Sequence, residues 1–174
     1  MQTNEKTTIK GNEIKLFGEL VSVGDRAPEV KLISGDLEEI TIGGKADKVR
    51  LFIVVPSLDT DVCAQETREF NLRLSALDIV DTTVISMDLP FASKRFCSIE
   101  GIDRVMAASD YVDKEFGKNY GVLMSDGPLK GMLARAIFVV NEEGIVAYKE
   151  IVREVTEEPD YEAALAAVKD AKVI

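Results

Sequence analysis

The segment KVRLFIVVPSLDTDVCAQETREF, residues 48–70, passes from an apolar run through a proline and a short polar loop into a helical pattern. The continuous run 51–55 predicts a strand that is buried on both faces of a sheet, and Pro56 ends it. In the helix predicted over 61–77, every third or fourth side chain from Cys63 onward falls on one core-facing side. A buried strand followed by such a helix is typical of an α/β fold.

The sequence on either side of this unit extends the same pattern. Two alternating stretches flank the turn-forming pair Gly11-Asn12, which predicts an N-terminal β-hairpin within residues 1–18. Residues 82–88 predict a second buried strand, and a short helix is expected to end near Gly101.

The C-terminal part adds a hairpin and a closing helix. Residues 133–141 predict a third buried strand, and an alternating strand follows the turn at 141–144. Pro159 suits the first turn of an amphipathic helix. We therefore expect a single domain over 1–174, with a central mixed β-sheet flanked by helices.

The composition limits the possible chemistry and the possible partners. Lys and Arg number 21 against 31 Asp and Glu, and the net charge of −10 argues against binding to nucleic acid or an anionic membrane. The absence of histidine excludes Ser-His-Asp and Cys-His hydrolases and leaves a conventional zinc site two ligands short. No phosphate-binding or dinucleotide-binding fingerprint occurs, so we expect neither a cofactor nor a metal.

The polar N-terminal segment shows no apolar signal region, and no apolar run approaches the roughly 18 residues of a membrane span. We therefore expect a cytoplasmic location. In a reducing cytoplasm two cysteines favour a redox or catalytic pair over a permanent disulfide.

Cys63 has two interpretations. It can be a small buried hydrophobe on the core-facing side of the helix. However, Thr60 or Asp61 is a natural N-cap, which places the sulfur in the first helical turn, where free N–H groups and the helix dipole stabilise a thiolate. The preceding strand also puts the sulfur at the carboxyl end of a sheet strand, where open α/β folds place their sites.

Four separated stretches of the chain resemble the peroxiredoxin family. The pattern P-x-x-x-T-x-x-C, here Pro56, Thr60 and Cys63, is the active-site motif of that family, and PSLDTDVCAQETREFN is similar to its two-cysteine thiol peroxidase branch. DLPFASKRFCSIEGI resembles the segment that carries the resolving cysteine, here Cys97. GMLARAIFVVN carries Arg135 where the family has its active-site arginine, and the N-terminal hairpin resembles that branch's addition to a thioredoxin-like fold.

The resemblance implies a thioredoxin-dependent peroxidase that is typically a homodimer. Cys63 is implied to attack a hydroperoxide and become a sulfenic acid, with Thr60 and Arg135 holding the peroxide and Pro56 shielding the sulfur. Cys97 is implied to form an intrachain disulfide with Cys63, which thioredoxin reduces.

Each of these residues also has a plainer interpretation. Thr60 can merely cap the helix, Pro56 can merely end a strand, and Arg135, which we expect inside the strand 133–141, can face solvent or pair with an acid. Cys97 can be an ordinary half-buried thiol. We expect it one step off the apolar stripe of Ala92, Phe96 and Ile99, on a helix too short to be stable alone, so that it can swing out.

Two other functions remain open at this point. One is a non-enzymatic redox sensor whose disulfide changes a partner surface. The other is a thioredoxin-like oxidoreductase acting on protein disulfides, which is weakened because the chain has no C-x-x-C pair.

Overall fold

The structure is a computed structural model, and it describes residues 2–172. Its strands are β1 (Gln2–Ile9), β2 (Asn12–Phe17), β3 (Val30–Ser34), β4 (Glu39–Ile42), β5 (Val49–Val54), β6 (Val80–Ser86), β7 (Met106–Ser109), β8 (Leu123–Met124), β9 (Ala136–Val140) and β10 (Val146–Ile151). Its helices are α1 (Asp61–Arg73), α2 (Pro90–Glu100), α3 (Glu115–Asn119) and α4 (Tyr161–Ala171), and a 3₁₀ turn, Leu74–Ala76, follows α1. Within residues 2–172, no helix has the length and apolar character needed to cross a membrane.

Seven strands form one mixed sheet in the order β10-β9-β5-β6-β7-β3-β4. Strands β5, β6 and β7 run parallel, and the other neighbours in this sheet are antiparallel. Strands β1 and β2 form the N-terminal hairpin and continue into β8 as a second, three-stranded sheet. The predicted central mixed sheet and N-terminal hairpin are confirmed.

Strand β5 forms the middle of the core because all six of its residues are buried. Phe52 and Val54 point to one face, where they pack with α3 and the N-terminal hairpin. Leu51 and Ile53 point to the other face, where α1 and α4 cover them. This two-sided burial explains the continuous apolar run, because a strand with one solvated face would alternate apolar and polar residues.

The parallel strands β5, β6 and β7 end at the same edge of the sheet. The loop 55–60 leads from β5 into α1, the loop 87–89 leads from β6 into α2, and the segment 110–114 follows β7. Open α/β sheets place their functional groups at this edge. Both cysteines lie on the helices that begin there.

Strand β9 is shorter than predicted, and it begins after Arg135 instead of before it. The preceding residues follow a different path: the N–H of Ala134 donates to the carbonyl of Val122 at 2.8 Å, and Leu133 bridges Leu123. The expectation that Arg135 lies inside the strand was therefore wrong. Strand β7 was missed, because its four residues, MAAS, carry little of the β-branched or aromatic signal of a strand.

Helix α2 turns a different face inward from the one predicted. The expected stripe of Ala92, Phe96 and Ile99 does not form, since Ala92 is exposed and the Ile99 side chain is 74% exposed. The buried side instead contains Ser93, with the half-buried Phe96 and Cys97 beside it. Positions 93, 96 and 97 also follow helical spacing, so the pattern of so short a helix fits two faces.

Candidate active site

Cys63 lies in the first turn of α1, at the carboxyl end of β5. Thr60 has an extended backbone, with φ −118° and ψ 149°, and stands at the N-cap position predicted for it or for Asp61. The Cys63 side chain is fully buried. The first turn of a helix leaves N–H groups without intrahelical acceptors, and its positive dipole end favours an anion. The sulfur is thus placed where a thiolate is stabilised.

Arg135 brings a buried cation to this sulfur. Its Nη2 donates to Cys63 Sγ at 3.3 Å, and its side chain is only 2% exposed. Its Nε and Nη2 both donate to the carbonyl oxygen of Val155, at 2.9 and 2.7 Å. Burial lowers the pKa of Arg135, but the nearby Glu66 and Cys63 raise it by more, so the guanidinium stays charged. The arginine is a fixed cation with three hydrogen-bonded partners.

Glu66 is the third member of this cluster and was not predicted from the sequence. Its Oε2 accepts from Arg135 Nη1 at 2.6 Å, and its side chain is fully buried. Burial raises the pKa of Glu66 to about 7, while Arg135 opposes that rise. One signal was available: Glu66 stands three positions after Cys63, so the two side chains lie on the same helix face.

Thr60 and Pro56 shape the loop ahead of the helix without touching the sulfur through a hydrogen bond. The Thr60 hydroxyl donates to the carbonyl of Ser57 at 2.9 Å, and it makes no capping bond to α1 within residues 2–172. Thr60 therefore occupies the N-cap position with its backbone, while its hydroxyl is directed to Ser57 instead of accepting from a first-turn N–H group. Pro56 is buried, two residues after the end of β5.

Asp88 holds this loop in place and was also missed. Its Oδ1 accepts from the Ser57 hydroxyl, and its Oδ2 accepts from the backbone N–H of Leu58, both at 2.7 Å. The Ser86 hydroxyl donates to the same Oδ2 at 2.8 Å. One carboxylate just after β6 therefore fixes the loop that precedes Cys63. The signal in the sequence was an acid directly behind a buried strand.

Cys97 lies on α2, half-buried, and both cysteines are free thiols. It packs against the same apolar cluster that contains Cys63, so α1 and α2 share one face of the large sheet. Burial raises the pKa of the Cys97 thiol. The structure thus places the two cysteines on neighbouring helices of one core, unbonded.

A cleft of about 470 Å³ opens between the loop ahead of α1 and the exposed side of α2. Its walls combine apolar side chains, three carboxylates and one cation, and they are formed by Ser57, Leu58, Asp59, Asp88, Ala92, Arg95, Phe96, Ile99 and Glu100. Neither Cys63 nor Cys97 is among the described residues that line this cleft. The cleft borders the segment that carries Thr60, and it exposes apolar surface beside the site.

The residues named from the sequence fall into three groups in space. Cys63 and Arg135 are in direct contact. Thr60 and Pro56 lie on the loop that leads into the same helix turn, and Cys97 lies across the shared core on α2. The additional residues that fix this arrangement are Glu66, which pairs with the arginine, and Asp88, which anchors the loop.

The chain matches known proteins over most of its length. The family model described as Redoxin matches residues 22–165. The thiol peroxidase of Aquifex aeolicus is 49% identical over 162 residues, which cover 93% of this chain and 95% of that protein. The thiol peroxidase of Campylobacter jejuni is 55% identical over 151 residues, covering 87% and 85% respectively.

Solved structures show the same relationship in three dimensions. A peroxiredoxin-like protein from Aquifex aeolicus superposes with a TM-score of 0.93 at 47% identity, covering 98% of each chain. The thiol peroxidase from Chromobacterium violaceum superposes with a TM-score of 0.86 over 97% of each chain. At 20% identity, this second likeness shows the fold alone.

Proposed function

The chain belongs to the redoxin family and is a peroxiredoxin-type thiol peroxidase, and on that premise we propose that Cys63 is the thiol that peroxide oxidises. The observation that carries this proposal is the hydrogen bond from Arg135 to the Cys63 sulfur at the start of α1. A buried cation and the free N–H groups of a helix start both favour the thiolate, which is the nucleophilic form of cysteine.

In the first step, the Cys63 thiolate attacks the terminal oxygen of a hydroperoxide. The S–O bond forms as the O–O bond breaks, so the sulfur is oxidised to a sulfenic acid and the peroxide is reduced to water or an alcohol. Arg135 and the first-turn N–H groups stabilise the charge that develops on the leaving oxygen. Thr60 holds the peroxide once its hydroxyl turns away from Ser57, and Pro56 keeps bulk water from the sulfur.

In the second step, the Cys97 thiol attacks the sulfenic sulfur. A Cys63–Cys97 disulfide forms within the chain, and one water molecule leaves. The shared core of α1 and α2 supports this pairing, because both thiols already pack against it. Thioredoxin then reduces the disulfide by two thiol–disulfide exchanges, which returns both cysteines to the reduced state.

The proposed assembly is a homodimer, with the cytoplasmic location expected from the sequence. Four large apolar side chains are exposed on the loops and helix start that follow β6 and β7 at the carboxyl edge of the sheet: Leu89, Phe91, Tyr111 and Val112. Apolar residues gathered at one edge favour a contact with a second copy. Sedimentation velocity tests this proposal, with Phe91→Asp expected to give monomers; a wild-type monomer would refute it.

Peroxide consumption with thioredoxin as the reductant tests the whole cycle. The wild-type protein should turn over many equivalents of hydrogen peroxide and of an organic hydroperoxide, and Cys63→Ser should turn over none. A single oxidation without turnover would instead indicate a redox sensor. Reduction of protein disulfides without peroxide consumption would indicate a disulfide oxidoreductase.

A further inference from the structure

Three ionisable side chains meet in the buried cluster behind the first turn of α1. The guanidinium of Arg135 bonds Cys63 Sγ through Nη2 at 3.3 Å and Glu66 Oε2 through Nη1 at 2.6 Å. All three side chains are at most 2% exposed. If Cys63 and Glu66 were both ionised, one cation would face two anions, and the cluster would bury an uncompensated negative charge at high cost.

Within residues 2–172, Arg135 is the only cation that forms a salt bridge with Glu66. Besides Cys63 and Arg135, three titratable side chains interact electrostatically with Glu66. They are Glu150 on β10, Glu158 ahead of α4, and Tyr161 at the start of α4. The two acids raise the pKa of Glu66 further. No polar atom of residues 2–172 is hydrogen-bonded to Glu66 Oε1. An ionised Glu66 would therefore have a hydrogen-bond donor at only one of its two carboxylate oxygens.

From this geometry we infer that Cys63 and Glu66 share one negative charge. Glu66 carries a proton while Cys63 is a thiolate, and Glu66 releases that proton when Cys63 is oxidised. This inference rests on Cys63 being the peroxide-reactive thiol. Two strongly interacting acids that share one cation titrate as a pair, and removing the charge of one lowers the proton affinity of the other. Glu66 thus acts through Arg135 as a positioning residue and a proton store.

The stored proton completes the peroxide step. Attack by the thiolate converts a hydroperoxide ROOH into a sulfenic acid and an RO⁻ leaving group, which needs one proton to become ROH. The loss of the Cys63 charge leaves Arg135 paired with Glu66 alone, so the carboxyl ionises and the reaction draws no net proton from the solvent. When two reductant thiols later open the disulfide, one of their protons goes to Cys97 and the other returns to Glu66.

A proton count in a single turnover tests this inference. Reduced protein is mixed with one equivalent of hydrogen peroxide, without reductant, in weakly buffered solution at a pH where ultraviolet absorbance shows the Cys63 thiolate. A pH indicator follows the protons, and the loss of thiols measures disulfide formation in the same sample. Disulfide formation from one thiolate, one thiol and one peroxide consumes one proton, and the question is whether Glu66 or the solvent supplies it.

We expect near-zero proton uptake for the wild type and about one proton per disulfide for Glu66→Gln. Glu69→Gln is the matched control, because Glu69 lies on the same helix and pairs with Arg73, outside the cluster; it should behave as the wild type. Equal uptake by the wild type and Glu66→Gln would overturn the inference and leave the peroxidase assignment intact. Failure to oxidise Cys63 at all would instead refute that assignment.

Infrared difference spectra give a second test, in which the wild-type spectrum alone can contradict the inference. The oxidised-minus-reduced spectrum of the wild type should lose one protonated carboxyl C=O band. The band should be absent from Glu66→Gln and retained in Glu69→Gln. A wild-type spectrum without that loss would contradict the inference on its own.

Discussion

The guanidinium Nη2 of Arg135 lies 3.3 Å from the sulfur of Cys63, although the two residues are 72 positions apart in the chain. Strands β5 and β9 are antiparallel neighbours in which Val54 pairs with Ala136. The chain that leaves β5 and the chain that enters β9 therefore meet at one edge of the sheet. Strand pairing, more than local sequence, puts the cation beside the thiol.

Replacing Arg135 with methionine should slow the reaction with peroxide. The variant loses the donor to Cys63 and the charge that stabilises the leaving oxygen, and the loss of one such donor typically costs about 100-fold or more in rate. Stopped-flow mixing with hydrogen peroxide measures the second-order rate constant.

The single variant leaves Glu66 buried without its partner, which can destabilise the fold by itself. The double variant Arg135→Met, Glu66→Gln removes both charges and is the better-folded comparison. If either variant stays folded by circular dichroism and reacts at the wild-type rate, Arg135 is a purely structural cation.

Replacing Cys63 with serine should abolish peroxide consumption, because a hydroxyl is not ionised at neutral pH and cannot replace the thiolate. The substitution is nearly isosteric, so the fold should be retained at this fully buried position. A peroxide consumption assay measures the effect, and mass spectrometry should find no oxidised residue at position 63. Activity close to that of the wild type would move the nucleophile to another residue.

Replacing Asp88 with asparagine should loosen the loop ahead of α1. The neutral amide has one accepting oxygen where the carboxylate has two, so at least one bond accepted from Ser57, Leu58 or Ser86 is lost, at about 1.5–3 kcal/mol for a hydrogen bond to a charged group. We expect the peroxide rate constant to fall several-fold while the fold persists. Asp81→Asn, at the other end of β6, is the matched control and should leave the rate unchanged. Equal rates for both variants would remove Asp88 from the positioning of the loop.

Much of the fold could be predicted because its central strands and helices carry strong local patterns. The apolar run of β5 and the proline behind it predicted the strand–loop–helix unit and its boundaries to within a few residues. The four-residue strand β7 lacks such a pattern and becomes a strand only through pairing with β6. The inward face of α2 was ambiguous for a related reason, since eleven residues fit two stripes until a neighbouring element selects one.

In the candidate site, too, residues with a local sequence signal could be predicted and residues that act through distant partners could not. Cys63 could be located from local sequence, because a cysteine behind a loop at a helix start is a local feature. Glu66 and Asp88 act through partners at distant positions, so their roles depended on pairings that one sequence does not display. The direction of the Thr60 hydroxyl does not follow from the sequence, because a hydroxyl at this position can accept from an N–H group of the helix start or donate to the Ser57 carbonyl three residues earlier.

The buried carboxyl of Glu66 should make stability depend on pH. Its folded-state pKa is raised to about 7 from an ordinary 4.5, so between these values the folded protein binds more protons than the unfolded chain. The free energy of unfolding should therefore fall as pH rises from about 4.5 to about 7, by at most roughly 1.4 kcal/mol per pH unit. Denaturant unfolding of the reduced protein measures the slope.

Glu66→Gln should remove this part of the slope. Asp110, whose pKa burial raises to about 6, contributes with the same sign at lower pH and remains as an internal reference. An unchanged slope between pH 6 and 7 in the Glu66→Gln variant would show that Glu66 is ionised throughout this range.

The last prediction concerns the motion that disulfide formation requires. Cys63 is anchored in the core, Cys97 is half-buried on α2, and a disulfide needs Cα atoms about 4.4–6.8 Å apart. We expect the segment 93–101 to unwind before the bond closes, because α2 is short and helix ends open at far lower cost than the whole fold. Opening also returns the Cys97 thiol to water and relieves the burial that raises its pKa.

Gly101 gives a way to change this opening without touching either thiol. It ends α2 with φ +65°, and apart from Gly101 itself and its two chain neighbours no heavy atom of residues 2–172 lies within 4 Å of the position that an added Cβ would take. Gly101→Ala therefore adds backbone strain of about 1 kcal/mol and little else. Gly24→Ala is the matched control, since Gly24 has φ +98° and equally open surroundings in another part of the fold.

As long as α2 stays helical, the Cys63 sulfenic acid persists without reacting with Cys97, and a second peroxide can oxidise it to sulfinic acid. Gly101→Ala should speed disulfide formation several-fold and lower the yield of sulfinic acid, whereas Gly24→Ala should change neither. Cys97→Ser should consume one equivalent of peroxide, fail to recycle with thioredoxin and give the most sulfinic acid. Hydrogen exchange should show weaker protection of 93–101 in the oxidised protein than in the reduced one. Equal protection in both forms, together with an unchanged rate in Gly101→Ala, would mean that the disulfide closes without unwinding α2.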